Sequence, residues 1–440
     1  MEKLFAEFNG TTNQAWKEQI VKDLKGVDFN TLIWKNPNGI DVQPFYTAED
    51  QPEVLTPITD TSDWDICHTI QVSNAEEANK EALLALQKGC SGLVFHIHQN
   101  IDASTLLKGI SLEHIYSEFN VSYDALESLK TLKPLLGKKN SFDGKEKCFL
   151  NIDPLSLWAY YGEWHHSKET DLSIAKDLPY IPVNTSLYQE AGATQVNELA
   201  IAVAHANEYL HYLSTSGSLN KQTMHLRVSV GGDFFGEIAK LRAYRHVMHL
   251  LLKQYEIDAE IHISCATTAL NKSEKDAYNN MLRSTTEAMS AVIGGCNSLS
   301  ISPYNSIYEK AGEFGNRIAI NQQHILKDES YLGKVADIAA GSYYIEKLTH
   351  QLAEKAWETF KNIEAKGGFI SGLENGSIQN MIQKDFDTMA EAFKSGDLVL
   401  IGVNKFPNPK DENLEVKKKE ISEKGKEIRR ILPRRLSDVI

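Results

Sequence analysis

The sequence predicts an α/β protein built on a (β/α)8 barrel. Eight short apolar runs follow one another between residues 64 and 302, and most are followed by a stretch with helical spacing of apolar residues. Repeated strand–helix units force parallel strands joined by right-handed crossovers, and eight such units can close into a barrel. A doubly wound open sheet is the alternative, because apolar runs alone do not show closure.

Residues 1–63 are predicted to form an N-terminal arm. In "NQAWKEQIVKDLKG" the apolar residues Trp16, Ile20, Val21 and Leu24 fall on one helical face, and Gly26 is a natural helix end. The next stretch, "FNTLIWKNPNGIDVQPFY", has an Asn-Gly turn between two short extended runs, which is typical of a hairpin. Because such arms often pack outside their own barrel, we expect this one to contact a partner.

The barrel is predicted over residues 64–395, together with C-terminal helices. The eight predicted strands are residues 64–72, 92–97, 114–121, 148–153, 180–186, 225–230, 260–266 and 298–302. After them a long amphipathic stretch, "YYIEKLTHQLAEKAWETFKNIEAKGG", predicts a helix that ends at two glycines. Residues 396–440 are predicted to be a linker or tail, and the charge density of residues 411–440 favours a solvated helix or linker there.

Composition excludes several classes of function. The 440 residues carry a formal net charge of −13, which argues against nucleic acid as the main partner. Five scattered cysteines without a C-x-x-C pair predict neither a disulfide framework nor a thiolate zinc site. The start of the chain does not look like a secretory signal, and no apolar stretch is long enough for a membrane span, so we expect a cytoplasmic protein.

Common catalytic motifs are absent from the sequence. There is no Walker loop, no H-E-x-x-H and no G-x-S-x-G, and "GGDFFG" at residues 231–236 is interpreted as a turn that enters a helix. His165 and His166 are adjacent, so a shared metal is not expected. His96 and His98 alternate at the end of the second strand and could be functional if they face the barrel interior. Acidic side chains remain near strand boundaries and are interpreted as helix caps or turn residues: Asp65, Asp153 and Asp233.

Barrel enzymes place their chemistry at the carboxyl ends of the strands. Here those ends carry small hydroxyl-bearing or apolar side chains, namely Thr185, Ser186, Leu187, Ser264, Cys265, Ala266, Ser300 and Ser302. Such side chains cannot by themselves supply an acid–base pair with tuned pKa values.

Several long motifs resemble the methylmalonyl-CoA mutase family. They are "EIAKLRAYR", "DAYNNMLRSTTEAMSAVIGG", "IQVSNAEEAN", "QEAGAT", "VADIAAGSYYIEKLT" and the entry segment "DLKGVDFNTLIWKNPNGIDVQPFYT". The resemblance covers nearly the whole chain and is closer to the small (beta) subunit of the bacterial heterodimeric enzyme than to the catalytic chain. It implies an enzyme complex that interconverts methylmalonyl-CoA and succinyl-CoA by a radical route on adenosylcobalamin.

The sequence departs from the catalytic pattern of that family. The D-x-H-x-x-G motif, whose histidine ligates cobalt, does not occur, so no cobalamin-binding domain is expected on this chain. Aligned on "QEAG", the family's tyrosine and its thioester-binding histidine correspond to Ser186 and Leu187. The arginine that grips the substrate carboxylate corresponds to Cys67. A leucine cannot donate a hydrogen bond, and a thiol cannot replace a bidentate cation.

Two further strands of the barrel, and one position before the first strand, depart from the family in the same way. The catalytic His and Gln of the seventh strand correspond to Ser264 and Ala266, and the histidine of the eighth strand corresponds to Ser300. The tyrosine that wedges against the cofactor corresponds to Thr59 in a looser alignment. Framework residues between these positions persist, so the resemblance implies a folded barrel without its reagents.

We therefore expect a non-catalytic small subunit that stabilises the catalytic large subunit, with adenosylcobalamin and the acyl-CoA substrate bound by that partner. No catalytic, cofactor-binding or metal residue is expected on this chain. Two alternatives stay open. One is an active acyl-CoA mutase barrel that uses a separate cobalamin-binding subunit. The other is a binding module whose barrel holds CoA or a regulator.

Overall fold

A computed structural model describes residues 10–51, 63–122, 124–135, 146–411 and 422–439. The arm contains a hairpin of β1 (Trp34–Lys35) and β2 (Asp41–Val42). The strands of the barrel are β3 (Asp65–Val72), β4 (Gly92–Ile97), β5 (Tyr116–Val121), β6 (Cys148–Asn151), β7 (Ile181–Asn184), β8 (Thr223–Val230), β9 (Glu260–Thr267) and β10 (Ser298–Ser300). All eight predicted strands therefore exist, each within a few residues of its predicted bounds.

Helices flank the strands in the order that the sequence predicts. They are α1 (Asn13–Asp23), α2 (Ala75–Gln87), α3 (Ala103–Leu106), α4 (Ala125–Leu132), α5 (Pro154–Tyr161), α6 (Lys168–Leu172), α7 (Ile174–Asp177), α8 (Ser186–Glu190), α9 (Gln195–Thr215), α10 (Phe234–Gln254), α11 (Asn279–Ile293), α12 (Glu313–His324), α13 (Tyr343–Glu364), α14 (Gly368–Glu374) and α15 (Ser377–Ser395). The long amphipathic helix predicted after the last strand is α13.

The sheet follows the cyclic order of a barrel rather than that of an open doubly wound sheet. Neighbouring strands pair in parallel in the order β6-β5-β4-β3-β10-β9-β8-β7, so the first and last barrel strands, β3 and β10, lie side by side. Among the described strands, β6 and β7 share no backbone ladder. We call the gap between them the seam. It is bridged by side chains: the Tyr180 hydroxyl donates to the Leu150 carbonyl over 3.2 Å, and the Asn184 amide donates to Asp153 over 2.7 Å.

The arm packs on its own barrel through the hairpin but not through its helix. Ile40 and Val42 are buried in the main core, and the Asn38 side chain bonds Gln195 and the Val196 amide at the start of α9. Gly39 takes the left-handed conformation, with φ of 65°, that the predicted Asn-Gly turn needs. By contrast, α1 buries none of its residues. The predicted apolar helix face thus exists and stays exposed on this chain.

The C-terminal segment, which we define as residues 422–439, is not solvated as its charge density predicted. Ile428 and Ile431 belong to the main hydrophobic core, and Leu436 packs in a second cluster with Leu270 and Phe393. That expectation is wrong because the arginines of the segment cover aromatic rings: the Arg434 guanidinium lies 4.6 Å from the centre of the Phe386 ring.

Candidate functional site

The inward-facing side chains of the barrel fill its axis. Four rings from four strands stack on one another: Tyr116 from β5, Phe149 from β6, His225 from β8 and His262 from β9. The ring centres of Phe149 and His225 are 4.2 Å apart, and those of Tyr116 and His262 are 5.3 Å apart with nearly parallel planes. This aromatic layer closes the barrel, as expected of a barrel whose centre is a packed core.

An ion pair crosses the axis next to the aromatic layer. Glu118 of β5 is fully buried and meets the guanidinium of Arg227 of β8 at 2.5 Å. The same carboxylate accepts hydrogen bonds from the hydroxyls of Tyr116 at 2.8 Å and Ser264 at 2.6 Å. Burial alone would raise the pKa of Glu118, but Arg227 and these donors hold it well below its ordinary value. Glu118 is therefore an anion whose partners are all structural.

The histidines of the axis are not poised as general bases. Burial lowers the pKa of His225 to about 4 and that of His96 to about 3, with Arg227 adding to both effects. Burial also takes the pKa of His262 well below its ordinary value. His98 has both ring nitrogens engaged, with Ser122 at 2.5 Å and Gln71 at 3.2 Å. An imidazole that cannot gain a proton near neutral pH is a poor proton shuttle.

Most of the positions aligned with family reagents come together on three adjacent strands. Cys67 of β3 lies beside Ser300 of β10, and Ser300 lies beside Ala266 of β9. Ser300 donates a long hydrogen bond of 3.5 Å to the Cys265 carbonyl. Cys67 is the third residue of the eight-residue strand β3, so it lies away from the carboxyl end. Burial raises the pKa of its thiol, which makes it a weak nucleophile.

The opening of α8 carries the two positions aligned with the family's tyrosine and histidine. Ser186 and Leu187 are both buried, and Leu187 belongs to the main core. The framework half of the same motif is tied in place: Gln189 accepts a hydrogen bond from Thr268, and Glu190 accepts one from Ser229. Gly192 has φ of 100°, and a β-carbon there would meet the Phe386 ring at 2.7 Å. The retained residues thus serve packing. Thr59 lies outside the described residues.

The other predicted residues have structural roles. Asp153 and Asp233 cap α5 and α10, as the sequence predicts, and "GGDFFG" is the turn that enters α10. Asp65 is not a cap, because it pairs with Lys147 at 2.8 Å. All five cysteines are buried, and none of them forms a disulfide.

Neither a metal cluster nor a membrane span is found in the described part of the chain. No group of three or more His, Cys, Asp or Glu side chains is arranged to hold a metal ion there. Within those same residues, no helix is both long and apolar enough to cross a membrane. His98, which follows β4 at the carboxyl mouth, has both ring nitrogens in hydrogen bonds and therefore none to spare for the cobalt of a cobalamin.

The sequence analysis missed the ion pair at the centre of the barrel. Its signal was present as a charge within each of two apolar runs, Glu118 in "IYSEFNV" and Arg227 in "HLRVSV". Both residues occupy positions that alternate with outward-facing core residues, as inward-facing residues of a strand do. A cavity of 310 Å³ at the opposite, amino-terminal mouth was also missed; its lining includes Trp64, Asp65 and His262.

Comparison with known proteins agrees with this picture of a conserved scaffold. The family model described as methylmalonyl-CoA mutase matches residues 95–436. A protein of Porphyromonas gingivalis named methylmalonyl-CoA mutase small subunit is 33% identical, over 92% of this chain and 71% of its own length. In Streptomyces virginiae a small subunit and a large subunit are each 27% identical, and this chain spans 72% and 62% of their respective lengths. These matches show that the chain belongs to the methylmalonyl-CoA mutase family.

Proposed function

We propose that this chain is the non-catalytic small subunit of an adenosylcobalamin-dependent methylmalonyl-CoA mutase and stabilises a catalytic large subunit. The proposal rests mainly on one observation: the axis of the barrel is filled by stacked rings and by the Glu118–Arg227 pair. An acyl thioester needs a concave site with a few convergent polar groups. Here Glu118, Arg227, Tyr116 and Ser264 bind one another.

The side chains at the aligned positions support the same proposal. Binding a substrate carboxylate in a site without water calls for a cation with free donors. Arg227 of β8 is a buried cation, and its guanidinium is committed to Glu118. The hydroxyl of Ser264, the position aligned with a family histidine, donates a hydrogen bond to the same carboxylate. These contacts leave the polar side chains of the axis with structural duties.

In this proposal the cofactor and the substrate belong to the partner. Adenosylcobalamin supplies radical chemistry when it is bound, and we assign it to the large subunit. Five buried cysteines that form no disulfide fit a reducing compartment, so we propose that the complex is cytoplasmic.

Activity measurements test the proposal directly. The purified chain, given adenosylcobalamin and methylmalonyl-CoA, should form no succinyl-CoA, whereas the complex with a large subunit should form it. Cys67→Ala in this chain should leave kcat and KM of the complex unchanged, while a substitution at the aligned arginine of the large subunit should abolish turnover. Turnover by this chain alone, or loss of kcat from Cys67→Ala in a complex that still assembles, would contradict the proposal.

The arm is the surface that we assign to the large subunit. Its helix α1 buries no residue, and Trp16 and Val21 are 44% and 50% exposed. Further along the arm Val27, Leu32 and Trp34 are also exposed. Five large apolar side chains within 19 residues are more than a surface normally leaves uncovered, and such patches mark protein–protein contacts.

A matched pair of double variants tests the arm. Trp16→Ser with Val21→Ser removes apolar surface, whereas Glu18→Ser with Lys22→Ser changes the polar residues of the same helix. All four positions are exposed, so neither variant should unfold the barrel. We expect the apolar variant to weaken binding to the large subunit at least about 10-fold, which corresponds to about 1.4 kcal/mol. Equal binding by both double variants would exclude the arm as the contact.

The cavity at the amino-terminal mouth favours a second function, that of a binding module. Its 310 Å³ is large enough for a small ligand. Calorimetric titration of the isolated chain with CoA would detect such binding, and Phe149→Trp, which adds bulk to the lining, would reduce it. No heat of binding from CoA would remove CoA as the ligand of this module.

A further inference from the structure

The C-terminal segment lies across the carboxyl end of the seam and bonds to structure on both sides of it. On the β6 side it meets α5, the helix that follows β6. The Ile428 amide donates to the Gly162 carbonyl over 3.1 Å, and the Ile431 amide donates to the Ala159 carbonyl over 2.8 Å. The Glu427 carboxylate accepts a hydrogen bond from the Trp158 indole at 3.2 Å.

On the other side of the seam the same segment meets the structures that follow β7 and β9. The Arg434 amide donates to the carbonyl of Glu190, the last residue of α8, over 2.8 Å. The Leu436 amide donates to the Leu270 carbonyl over 2.8 Å, and the Ser437 hydroxyl donates to the Lys272 carbonyl over 3.1 Å. The backbone of one short segment thus joins both flanks of the seam.

Two glycines allow the segment to approach α5 closely. Gly162, at the end of α5, has φ of 77°, and a β-carbon built on it would lie 2.6 Å from the α-carbon of Gly425. A β-carbon on Gly425 would likewise lie 2.6 Å from the α-carbon of Gly162. Neither position can gain a methyl group without a shift of backbone, so the contact depends on both glycines.

Of the boundaries between neighbouring barrel strands that the structure describes, the seam is the one without a backbone ladder, so a segment that bridges it matters most there. Where β8 meets β9, eight residues of each strand pair along the ladder. Where β6 meets β7, the cross-seam bonds come from side chains, with Tyr180 bonding Leu150 and Asp153 accepting from Asn184. A boundary held by a few side-chain bonds opens at a lower free energy than one held by a backbone ladder.

We infer that the C-terminal segment is a clasp that keeps the barrel closed at the seam, and that its release opens the barrel there and nowhere else. Any event that pulls residues 422–439 off the barrel frees α5 from α8. The described bonds that still join the two sides are then side-chain bonds, such as those of Tyr180 to Leu150 and of Tyr209 to Asp153 and the Leu155 amide, and these open at a lower free energy than a ladder. This role is independent of whether the barrel is catalytic.

Hydrogen exchange on the full chain, followed by mass spectrometry at residue resolution, tests the clasp. The amides of Leu150 and Asn184 report on the seam, since each bonds a side chain from across it, Tyr180 and Asp153 respectively. In Gly425→Ala we expect exchange at these two amides to accelerate at least about 10-fold. Amides of β8 and β9, such as Ile263, should keep the wild-type rate.

Two controls separate the clasp from general destabilisation. Gly312→Ala adds a methyl group where nothing lies within 4 Å and should change neither region. Arg430→Ala removes a bond of 2.8 Å to the Tyr160 carbonyl and should accelerate the seam amides more weakly. The neighbouring Arg429→Ala, whose guanidinium bonds Asn380 of α15 instead, should not. Unchanged seam exchange in Gly425→Ala, or equal acceleration in β8 and β9, would overturn the inference.

Discussion

Two buried ion networks in this protein each combine a cation with carboxylates, but the pKa of a carboxyl is lowered in one and raised in the other. In the axis of the barrel, Glu118 pairs with Arg227 and accepts two further hydrogen bonds. Between the helices α9 and α10, Lys240 serves two carboxylates, Glu198 at 2.9 Å and Glu237 at 2.7 Å. All of these side chains are almost entirely removed from water.

The balance of charge decides the pKa in each network. Around Glu118 one cation meets one anion, and the pKa of the carboxyl falls well below its ordinary value despite burial. Around Lys240 one cation meets two anions. Burial therefore raises the pKa of Glu198 to about 7, and the neighbouring carboxylate of Glu237 adds to the rise, although Lys240 opposes it. Burial is common to both, so the number of cations per carboxylate makes the difference.

The comparison bears on function as well as on stability. A carboxyl with a pKa near 7 is often a sign of an acid–base catalyst. Here Glu198 lies between helices, fully buried, with Tyr244 and Lys240 as its partners. The perturbed pKa is thus a property of the scaffold, while the axis, where chemistry would be expected, holds a carboxylate that stays ionised.

The largest effect is expected from removal of the cation in the axis. Arg227→Met leaves Glu118 buried without a counter-charge, and breaking a buried pair in this way costs about 3–5 kcal/mol of unfolding free energy. Lys240→Met should cost less at pH 6 than at pH 8, because Glu198 can take up a proton at little cost near pH 7. Urea unfolding at both pH values measures the two variants.

If Arg227→Met and Lys240→Met show the same cost and the same pH dependence, the charge balance does not distinguish the networks.

An intermediate effect, with opposite signs at the two sites, is expected from neutralising the carboxylates. The pKa of Glu198 in the folded protein lies above its unfolded value of 4.5, so its contribution to stability is present below pH 4.5 and is lost as the pH rises through 7. Glu198→Gln should therefore raise the unfolding free energy at pH 8, by about 1–3 kcal/mol.

Glu118→Gln should do the reverse. The pKa of Glu118 is depressed by folding, so its contribution is present above the unfolded value of 4.5 and is lost only as the pH falls through the folded pKa. The variant should be less stable than wild type at pH 7, and the difference should shrink in acid. Chemical denaturation between pH 4 and pH 8 gives both curves; parallel curves for the two variants would contradict the assignment.

The sequence predicts the frame of the barrel better than what fills it. Strand β4 was predicted with its observed bounds, because "GLVFHI" is a short apolar run between turns. The pairing of Glu118 with Arg227 could not be predicted, because the two residues are 109 positions apart and meet only when the barrel closes. The docking of the C-terminal segment also escaped prediction, because Ile428 and Ile431 belong to an irregular stretch without helical or strand periodicity.

The candidate site likewise has features that the sequence predicts and features that it does not. The residue types of Leu187 and Ala266 alone show that these side chains lack reactive groups. That Ser264 is engaged rather than merely small depends on its bond of 2.6 Å to Glu118, which no local pattern contains. Cys67 lies near the start of a strand that was predicted over residues 64–72 and is observed over Asp65–Val72.

The smallest effect on stability is expected from Ser264→Ala, which tests both the ion pair in the axis and the candidate site. It removes one donor from Glu118 and leaves Arg227 and Tyr116 in place, so the unfolding free energy should fall by about 1–2 kcal/mol at pH 7. The loss should shrink only as the pH falls toward the depressed folded pKa of Glu118, because the carboxyl stays ionised in the folded protein above that pH. Tyr244→Phe, which removes a donor from Glu198, should lose less unfolding free energy at pH 6 than at pH 8.

Because Ser264 is also the position aligned with a family histidine, kcat of the complex should stay at the wild-type value in Ser264→Ala. A fall in kcat without a fall in stability would mean that this hydroxyl serves catalysis rather than the ion pair.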